Sequence, residues 1–217
     1  MGRIKKADVK FSAVLTDEQR EAKEQIKAGT FVFLLGKPGT SKTFLACAVG
    51  LDLLFKKEIE KIVITRPTIS TEDNGFLPGT LEEKMEPWLV PIRSNMRTIY
   101  NNPTKLKKLE DDKEIEIVSL SHFRGRTFAN SLCIVDEFEN MTSSQLRMAI
   151  GRLGKDSIMI FCGDESQIDL KQKNTSAIYE LNKIKNSQFV KIITLTVPCG
   201  QETCRLSCPY CLLLWWN

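Results

Sequence analysis

The sequence predicts an α/β protein in which a mostly parallel sheet carries helices on both faces. Short apolar runs that are typical of buried strands alternate with longer segments that carry helical signals. This alternation favours a parallel sheet, because each crossover helix returns the chain to the same edge. Three of the apolar runs also pass directly into glycine or acidic residues. Polar groups should therefore gather at the carboxyl ends of the strands, where ligands bind in such folds.

Six short apolar runs are predicted to be the strands of this sheet. They cover residues 31–35, 61–65, 115–120, 132–135, 157–162 and 190–195. Cys47, Cys133 and Cys162 lie inside apolar runs, so we expect them to be small core residues.

Capping boxes predict where three of the helices begin. Thr16–Gln19 should open a polar helix that stops near Gly29, and Thr142–Gln145 one that ends around Gly151 or Gly154. The third box, Thr80-Leu-Glu-Glu83, opens a helical region.

The remaining helices follow from composition. Residues 43–55 are apolar nearly all round, which predicts an enclosed helix. Residues 103–112 form a charged helix with a solvated face, and another helix is expected near 175–185. Prolines at 87 and 91 should break or bend the helical region that contains them.

Composition limits the class of protein. With 217 residues, 42% hydrophobic and 27% charged, the chain fits an ordinary globular domain. The net charge of +4 suits weak attraction to nucleic acid, and a solvated lysine surface explains it as well. The first residues lack a signal-peptide core, and no apolar run approaches the roughly 20 residues that span a bilayer. We expect a cytoplasmic protein with no membrane partner and with reduced cysteines.

The segment after the first strand predicts a phosphate-binding loop. Its backbone N–H groups and the amino end of the next helix would cradle phosphate oxygens. Lys42 would neutralise the β- and γ-phosphates, and the Thr43 hydroxyl would coordinate Mg²⁺. The candidate nucleotide-binding residues are Gly36, Lys37, Pro38, Gly39, Thr40, Ser41, Lys42 and Thr43.

One residue of this loop departs from the strict pattern Gly-x-x-x-x-Gly-Lys-Ser/Thr. Ser41 stands where the second glycine belongs, and its Cβ opposes a positive φ. A glycine-rich turn with a chance lysine is the alternative interpretation.

Two further strands end in polar groups that complete the predicted site. After residues 132–135, Asp136 would hold the Mg²⁺ shell and Glu137 would orient and deprotonate the attacking water. After residues 157–162, Gln167 could bond the γ-phosphate or the water, and Asp164 could cap a turn. An acidic loop without a ligand is the alternative for Asp136 and Glu137.

These motifs, with several others, resemble the PhoH-like family of P-loop ATPases, which is similar to the first motor domain of superfamily 1 helicases. The resemblance runs from about residue 15 to 196. It rests on ITRP at 64–67, GFLPGTLEEKMEPWLVP at 75–91, FRGRT at 123–127, IVDEFEN at 134–140 and GDESQID at 163–169.

The resemblance implies a RecA-like P-loop NTPase fold that binds ATP with Mg²⁺, hydrolyses ATP, and assembles into a homo-oligomeric ring. It also implies work on RNA or single-stranded nucleic acid. An ATP-dependent switch or oligomer that binds a protein partner, with little or no hydrolysis, is the alternative. We expect an N-terminal extension at 1–14, an ATPase domain at 15–196, and an atypical tail at 197–217. The short length resembles the bacteriophage forms, which would place the protein in a host cytoplasm.

The resemblance also assigns individual residues. Gln19 matches the glutamine that reads adenine in the related helicases, although it is also the last residue of a capping box. Arg66 matches a position that touches nucleic acid or phosphates in related motors, and it could equally pair with Glu72 or Asp73. Glu139 stands where relatives often have glutamine, which removes a donor and adds charge near the phosphates.

The tail from residue 197 differs from the family, whose members continue with a basic stretch containing His-Arg. Four of the seven cysteines lie between 199 and 211, with spacing that a metal site could use. A non-homologous ending from a shifted frame or truncation is the competing hypothesis.

Without the basic stretch of the family, an arginine finger would have to come from elsewhere in the chain. The candidates, which would act across a subunit boundary, are Arg124, Arg126 and Arg152. For Arg124 and Arg126, the alternatives are a nucleic-acid contact or a plain surface loop.

Overall fold

Six parallel strands form one sheet in the part of the chain that the computed structural model describes, residues 14–67 and 81–197, with side chains from 89 onwards in the second range. The strands are β1 (Phe31–Gly36), β2 (Lys61–Thr65), β3 (Ile115–Ile117), β4 (Ser131–Val135), β5 (Ile158–Gly163) and β6 (Val190–Leu195). Their order across the sheet is β3-β2-β4-β5-β1-β6, and every neighbouring pair is parallel. The predicted α/β class with a parallel sheet is confirmed.

Six helices accompany the sheet in the described residues. They are α1 (Asp17–Lys27), α2 (Lys42–Phe55), α3 (Leu81–Ile99), α4 (Pro103–Asp111), α5 (Ser143–Ile150) and α6 (Leu181–Ile184). Complete capping boxes at Thr16 and Thr142 begin α1 and α5, as predicted. The box at Thr80 lies outside the described residues.

The sheet separates two apolar cores, because alternate strand residues face opposite sides. In β1, Val32 and Leu34 pack into one core and Phe33 into the other. Residues of α1 to α4 line the first core, and those of α5 and α6 line the second, so helices cover both faces. The predicted core cysteines, Cys47, Cys133 and Cys162, are all buried.

Helix α2 is the enclosed helix that composition predicted. Its residues from 45 to 54 are all buried. Among them is Asp52, which forms ion pairs with Lys23 and Lys27 of α1 and with Lys56. One carboxylate therefore ties α1 to α2 and satisfies the charge that burial would otherwise penalise.

Helix α3 runs without interruption from Leu81 to Ile99. The predicted break at prolines 87 and 91 is therefore wrong, and the alternative that they bend the helix stays a prediction. Leu89, Ile92, Met96 and Ile99 recur at helical spacing and are buried. A proline inside a helix removes one backbone donor and crowds the carbonyl group four residues before it. The packing of this apolar stripe against α2 in the first core offsets that cost.

Two other predicted elements differ from the structure. Strand β3, an edge strand that pairs only with β2, ends at Ile117 because the chain then turns inward to bury Leu120 and Phe123 in the second core. The helix expected near 175–185 consists of short 3₁₀ turns followed by the four-residue α6. In the described residues, no helix has the length and apolar content that crossing a bilayer would require.

Candidate active site

The candidate site lies at the carboxyl edge of four adjacent strands, β2, β4, β5 and β1. The loop of residues 36–43 follows β1, and Asp136 follows β4, with β5 between them. The edge also carries unusual polar groups. Three of the four buried side-chain atoms without a hydrogen-bond partner in the described residues lie here, namely Thr65 Oγ1, Glu139 Oε2 and Asp164 Oδ2. Such orphaned groups are rare in native proteins and concentrate at functional sites.

The loop after β1 is held in shape by its own polar groups. Thr40 donates from its backbone N–H and its hydroxyl to Lys37 O, at 3.3 and 2.9 Å. Gly36 packs closely against β6 and Thr40. A Cβ added to Gly36 would lie 2.6 Å from Leu195 O and 2.7 Å from Thr40 Oγ1. Only glycine fits that position, so the first glycine of the motif is required by packing.

Ser41 adopts the conformation that its Cβ was expected to oppose. Its φ is 61° and its ψ 33°, in the left-handed region, at the N-cap position of α2. The serine therefore occupies the geometry of the glycine it replaces, at a cost of roughly 1 kcal/mol.

The amino end of α2 is free of the side-chain caps that close α1, α4 and α5. Thr16, Asn102 and Thr142 each accept a backbone N–H at those helices, whereas Ser41 makes no capping hydrogen bond. The first N–H groups of a helix have no intrahelical partner. At α2 they remain available to an anion, which the helix dipole also favours.

Lys42 reaches back over the loop. Its Nζ donates to Gly36 O at 2.7 Å and to Lys37 O at 3.1 Å. The ammonium group is therefore held inside the curve of the loop, where a phosphate cradled by the backbone would meet it.

Thr43 and Asp136, the two predicted Mg²⁺ ligands, touch each other. Thr43 Oγ1 donates to Asp136 Oδ1 at 2.6 Å, across 93 positions of sequence. Burial raises the pKa of Asp136, and the Thr43 hydrogen bond and the charges of Arg66 and Lys42 oppose that rise.

These two oxygens fit a hard divalent cation. Mg²⁺ is usually held by one or two protein oxygens, with its other ligands from phosphates and water. Among residues 14–67 and 81–197, no cluster of three or more His, Cys, Asp or Glu could hold a metal. A nucleotide would therefore have to complete the coordination of Mg²⁺. The cysteines of the tail lie outside the described residues.

Glu137 is held in an unusual position by a partner from the next strand. It has a φ of 51° and a ψ of 47°, left-handed values that few non-glycine residues adopt. Its carboxylate forms an ion pair with Arg66, the residue that follows β2. Burial raises the pKa of Glu137, whereas Arg66 lowers it. Glu72 and Asp73, the alternative partners considered for Arg66, lie outside the described residues.

Glu139 is a buried carboxylic acid close enough to Asp136 and Glu137 to feel their charges. Glu139 is 1% exposed, and its Oε2 atom has no hydrogen-bond partner in the described residues. Burial is the main cause that raises its pKa, to about 7, and the nearby charges of Glu137 and Asp136 add to the rise. This carboxyl group therefore changes its protonation near neutral pH.

The contacts described above do not include two other predicted site residues, Gln167 and Gln19. Gln167 is exposed, in a 3₁₀ turn that Asp164 caps by accepting the backbone N–H of Ser166 at 2.9 Å. Gln19 is buried and completes the capping box of α1, where its Oε1 accepts the Thr16 N–H. The described contacts explain the structural roles of Asp164 and Gln19, and adenine recognition by Gln19 stays a prediction.

No hydrogen bond or ion pair among the described contacts joins a candidate arginine finger to the loop. Arg126 pairs with Glu116 of β3 and stacks 4.9 Å over the Phe128 ring. Glu116 also pairs with Lys61, the first residue of β2. Arg126 therefore lies on the side of the sheet formed by β3 and β2, whereas the loop follows β1. Arg124 is exposed, and Arg152 is partly buried. A finger from this set would have to act on a neighbouring subunit.

Comparison with known proteins identifies the family. A family model described as "PhoH-like protein" matches residues 13–199. The chain belongs to the PhoH-like family. It is 40% identical over 167 residues to a PhoH-like protein of Bacillus subtilis, covering 76% of this chain and 52% of that one. It is 38% identical over 156 residues to one of Mycobacterium leprae (71% and 44%), and 31% identical over 182 residues to Protein PhoH of Escherichia coli K12 (82% and 50%). The chain thus spans about half the length of these relatives.

Solved structures similar to this PhoH-like chain include a helicase and a large terminase. One is the Pif1 helicase of Candida albicans, with 18% identity, a TM-score of 0.42, and coverage of 85% of this chain and 40% of that one. Another is the large terminase of a thermophilic bacteriophage, with 10% identity, a TM-score of 0.48, and coverage of 85% and 46%. The described part of this PhoH-like chain is an α/β protein with a six-stranded parallel sheet.

Sequence reasoning missed the partner of Arg66 and the deep burial of Glu139. Two signals were present. Arg66 directly follows a strand, and Glu139 replaces an amide two residues after Glu137. Neither signal says which strands are neighbours in the sheet. The strand order decides both the partner of Arg66 and the burial of Glu139.

Proposed function

We propose that this PhoH-like protein binds ATP with Mg²⁺ and hydrolyses it slowly, and that RNA or single-stranded nucleic acid stimulates the reaction. The observation that carries the proposal is the 2.6 Å contact between Thr43 Oγ1 and Asp136 Oδ1. A phosphate loop alone would bind many anions. A loop hydroxyl placed against a buried carboxylate also provides the oxygens for a nucleotide-bound cation.

The residues around this contact suit phosphoryl transfer to water. A water oxygen would bond to the γ-phosphorus while Glu137 takes a water proton, and the bond from the γ-phosphorus to the β–γ bridging oxygen would break to release ADP and phosphate. Lys42 would hold the β- and γ-phosphates. Thr43 and Asp136 would hold Mg²⁺, which would neutralise part of the charge on those phosphates.

Charge is the observation that supports action on nucleic acid and ring assembly. The net charge is +4, and Arg66 and the exposed Arg124 offer guanidinium groups to phosphates. Because Arg126 pairs with Glu116 of β3 and no described ion pair brings another candidate finger to the loop, we expect a second subunit to supply that charge. An arginine finger is worth about 10³-fold or more in rate.

The test is ATP binding and phosphate release by purified protein, with and without a single-stranded RNA. Lys42→Ala should abolish ATP binding or nearly so, and Lys107→Ala, which removes the same charge from an exposed site on α4, should bind as the wild type does. Glu137→Gln should bind ATP without releasing phosphate.

Three outcomes would contradict parts of the proposal. Normal turnover by Glu137→Gln would remove that residue as the base. Binding without phosphate release under any condition would favour an ATP-dependent switch or oligomer. Turnover that no oligonucleotide changes would favour a protein partner.

A further inference from the structure

The ion pair between Arg66 and Glu137 joins two neighbouring strand ends at the candidate site. Arg66 follows β2, Glu137 follows β4 after Asp136, and these strands pair directly, with Thr65 opposite Val135. The side chains are 33% and 32% exposed. The pair is therefore open to solvent, and a competing ion can reach it.

We infer that Arg66 restrains Glu137 from acting as the base until a phosphate of a single-stranded nucleic acid takes over its guanidinium group. This inference rests on the proposed hydrolysis. Arginine binds carboxylate and phosphate with the same planar fork, so one guanidinium can exchange between them.

The ion pair keeps the Glu137 carboxylate from acting as a base. An arginine fork occupies carboxylate lone pairs that a water proton would need. When the guanidinium leaves, those lone pairs are free to accept the proton of the attacking water, as general-base catalysis requires.

The place of Arg66 in the sheet favours nucleic acid over the bound nucleotide as the source of that phosphate. Strand β2 is separated from β1 by β4 and β5, so its end lies about three strand spacings, ~14 Å, from the end of β1, where the phosphate loop begins. Glu137, at the end of β4, lies between the two. A phosphate that approaches Arg66 from the side of β2 would belong to a second ligand.

The experiment compares ATP hydrolysis by the wild type, Arg66→Gln and Arg66→Lys, with and without oligouridylate. Arg66→Gln should hydrolyse ATP about two- to fivefold faster without RNA, since an ion pair that is one-third exposed is lost. RNA should no longer stimulate this variant. Arg66→Lys keeps the positive charge but lacks the planar guanidinium. Its rate without RNA and its stimulation by RNA should both lie between those of the wild type and Arg66→Gln.

Arg93→Gln is the matched control. Arg93 forms an ion pair with Glu110 between α3 and α4, and its side chain is 34% exposed, close to the value for Arg66. This variant should behave as the wild type does in rate and in stimulation.

A salt titration of RNA binding adds a readout that a purely structural role would not move. Losing one phosphate contact should reduce the slope of log affinity against log salt by about one in Arg66→Gln and leave it unchanged in Arg93→Gln.

The results that would overturn the inference are distinct. Slower hydrolysis by Arg66→Gln with and without RNA would assign its guanidinium to the phosphates of ATP. A wild type that RNA does not stimulate, or an Arg66→Gln that RNA still stimulates, would remove the nucleic acid from the exchange. Bound ATP with no hydrolysis in any variant would instead overturn the proposed hydrolysis, and the inference with it.

Discussion

Replacing the buried Glu139 carboxyl group with an amide is expected to stabilise the protein above neutral pH. Glu139 is 1% exposed, and its Oε2 has no hydrogen-bond partner in the described residues. Its pKa rises from the ordinary 4.5 to about 7, first because burial penalises the charged form. Glu139→Gln keeps the shape of the side chain and removes that charge.

The magnitude follows from the two pKa values. An acid whose pKa is higher in the folded state binds its proton more tightly there, so folding loses stability as the pH rises from 4.5 to about 7. Each pH unit of that window is worth ~1.4 kcal/mol. The loss is absent below pH 4.5, complete above pH 7, and about 3 kcal/mol in size. In Glu139→Gln it should disappear.

The assay is urea unfolding of both proteins at pH 5 and pH 8.5, with the free energy of unfolding extrapolated to water. The variant should gain about 3 kcal/mol over the wild type at pH 8.5 relative to their difference at pH 5. Glu165→Gln is the control, because it removes the same charge from an exposed residue of the neighbouring 3₁₀ turn.

Two results would refute the reasoning. Equal pH dependence in the wild type and Glu139→Gln would mean that this carboxyl group is not titrating in the folded protein near pH 7. Equal gains from Glu139→Gln and Glu165→Gln would assign the effect to net charge rather than to burial.

Three more substitutions test the packing of the site and of the fold. Ser41→Gly should match or exceed the wild type in free energy of unfolding by up to about 1 kcal/mol, because glycine accepts the φ of 61°; thermal unfolding checks it, and a clear loss would argue against that conformation. Gly36→Ala should lower the free energy of unfolding by about 1–3 kcal/mol and weaken ATP binding, since its Cβ would stand 2.6 Å from Leu195 O; unchanged binding in a fluorescent-nucleotide titration would contradict this. Asp52→Asn should cost about 1–2 kcal/mol at pH 7, because the buried Asp52 has three lysine partners and its pKa is lowered, after the opposing effect of burial, from 3.8 to about 2. The stabilisation by Asp52 is present above pH 3.8 and is lost as the pH falls through about 2, so urea unfolding of the two proteins should converge there, and a constant difference would disprove the charge argument.

Local patterns were sufficient where structure depends on neighbours in sequence. The capping boxes at Thr16 and Thr142 predicted two helix starts, because a cap is made within four residues. The apolar segment 43–55 predicted the enclosed α2 for a similar reason. Packing between distant segments overrode the local signals elsewhere. It keeps α3 continuous past two prolines, and it ends β3 early by drawing Leu120 and Phe123 into the second core.

The same division holds for the candidate site. The sequence by itself determined the residue types, a loop ending in Lys42-Thr43 and a strand ending in Asp136-Glu137, because each set is contiguous in the chain. Only the tertiary structure decided which of them meet. The order β2-β4-β5-β1 sets Thr43 against Asp136 and Arg66 against Glu137. Strand order depends on how the whole apolar core packs, and no short segment carries that information.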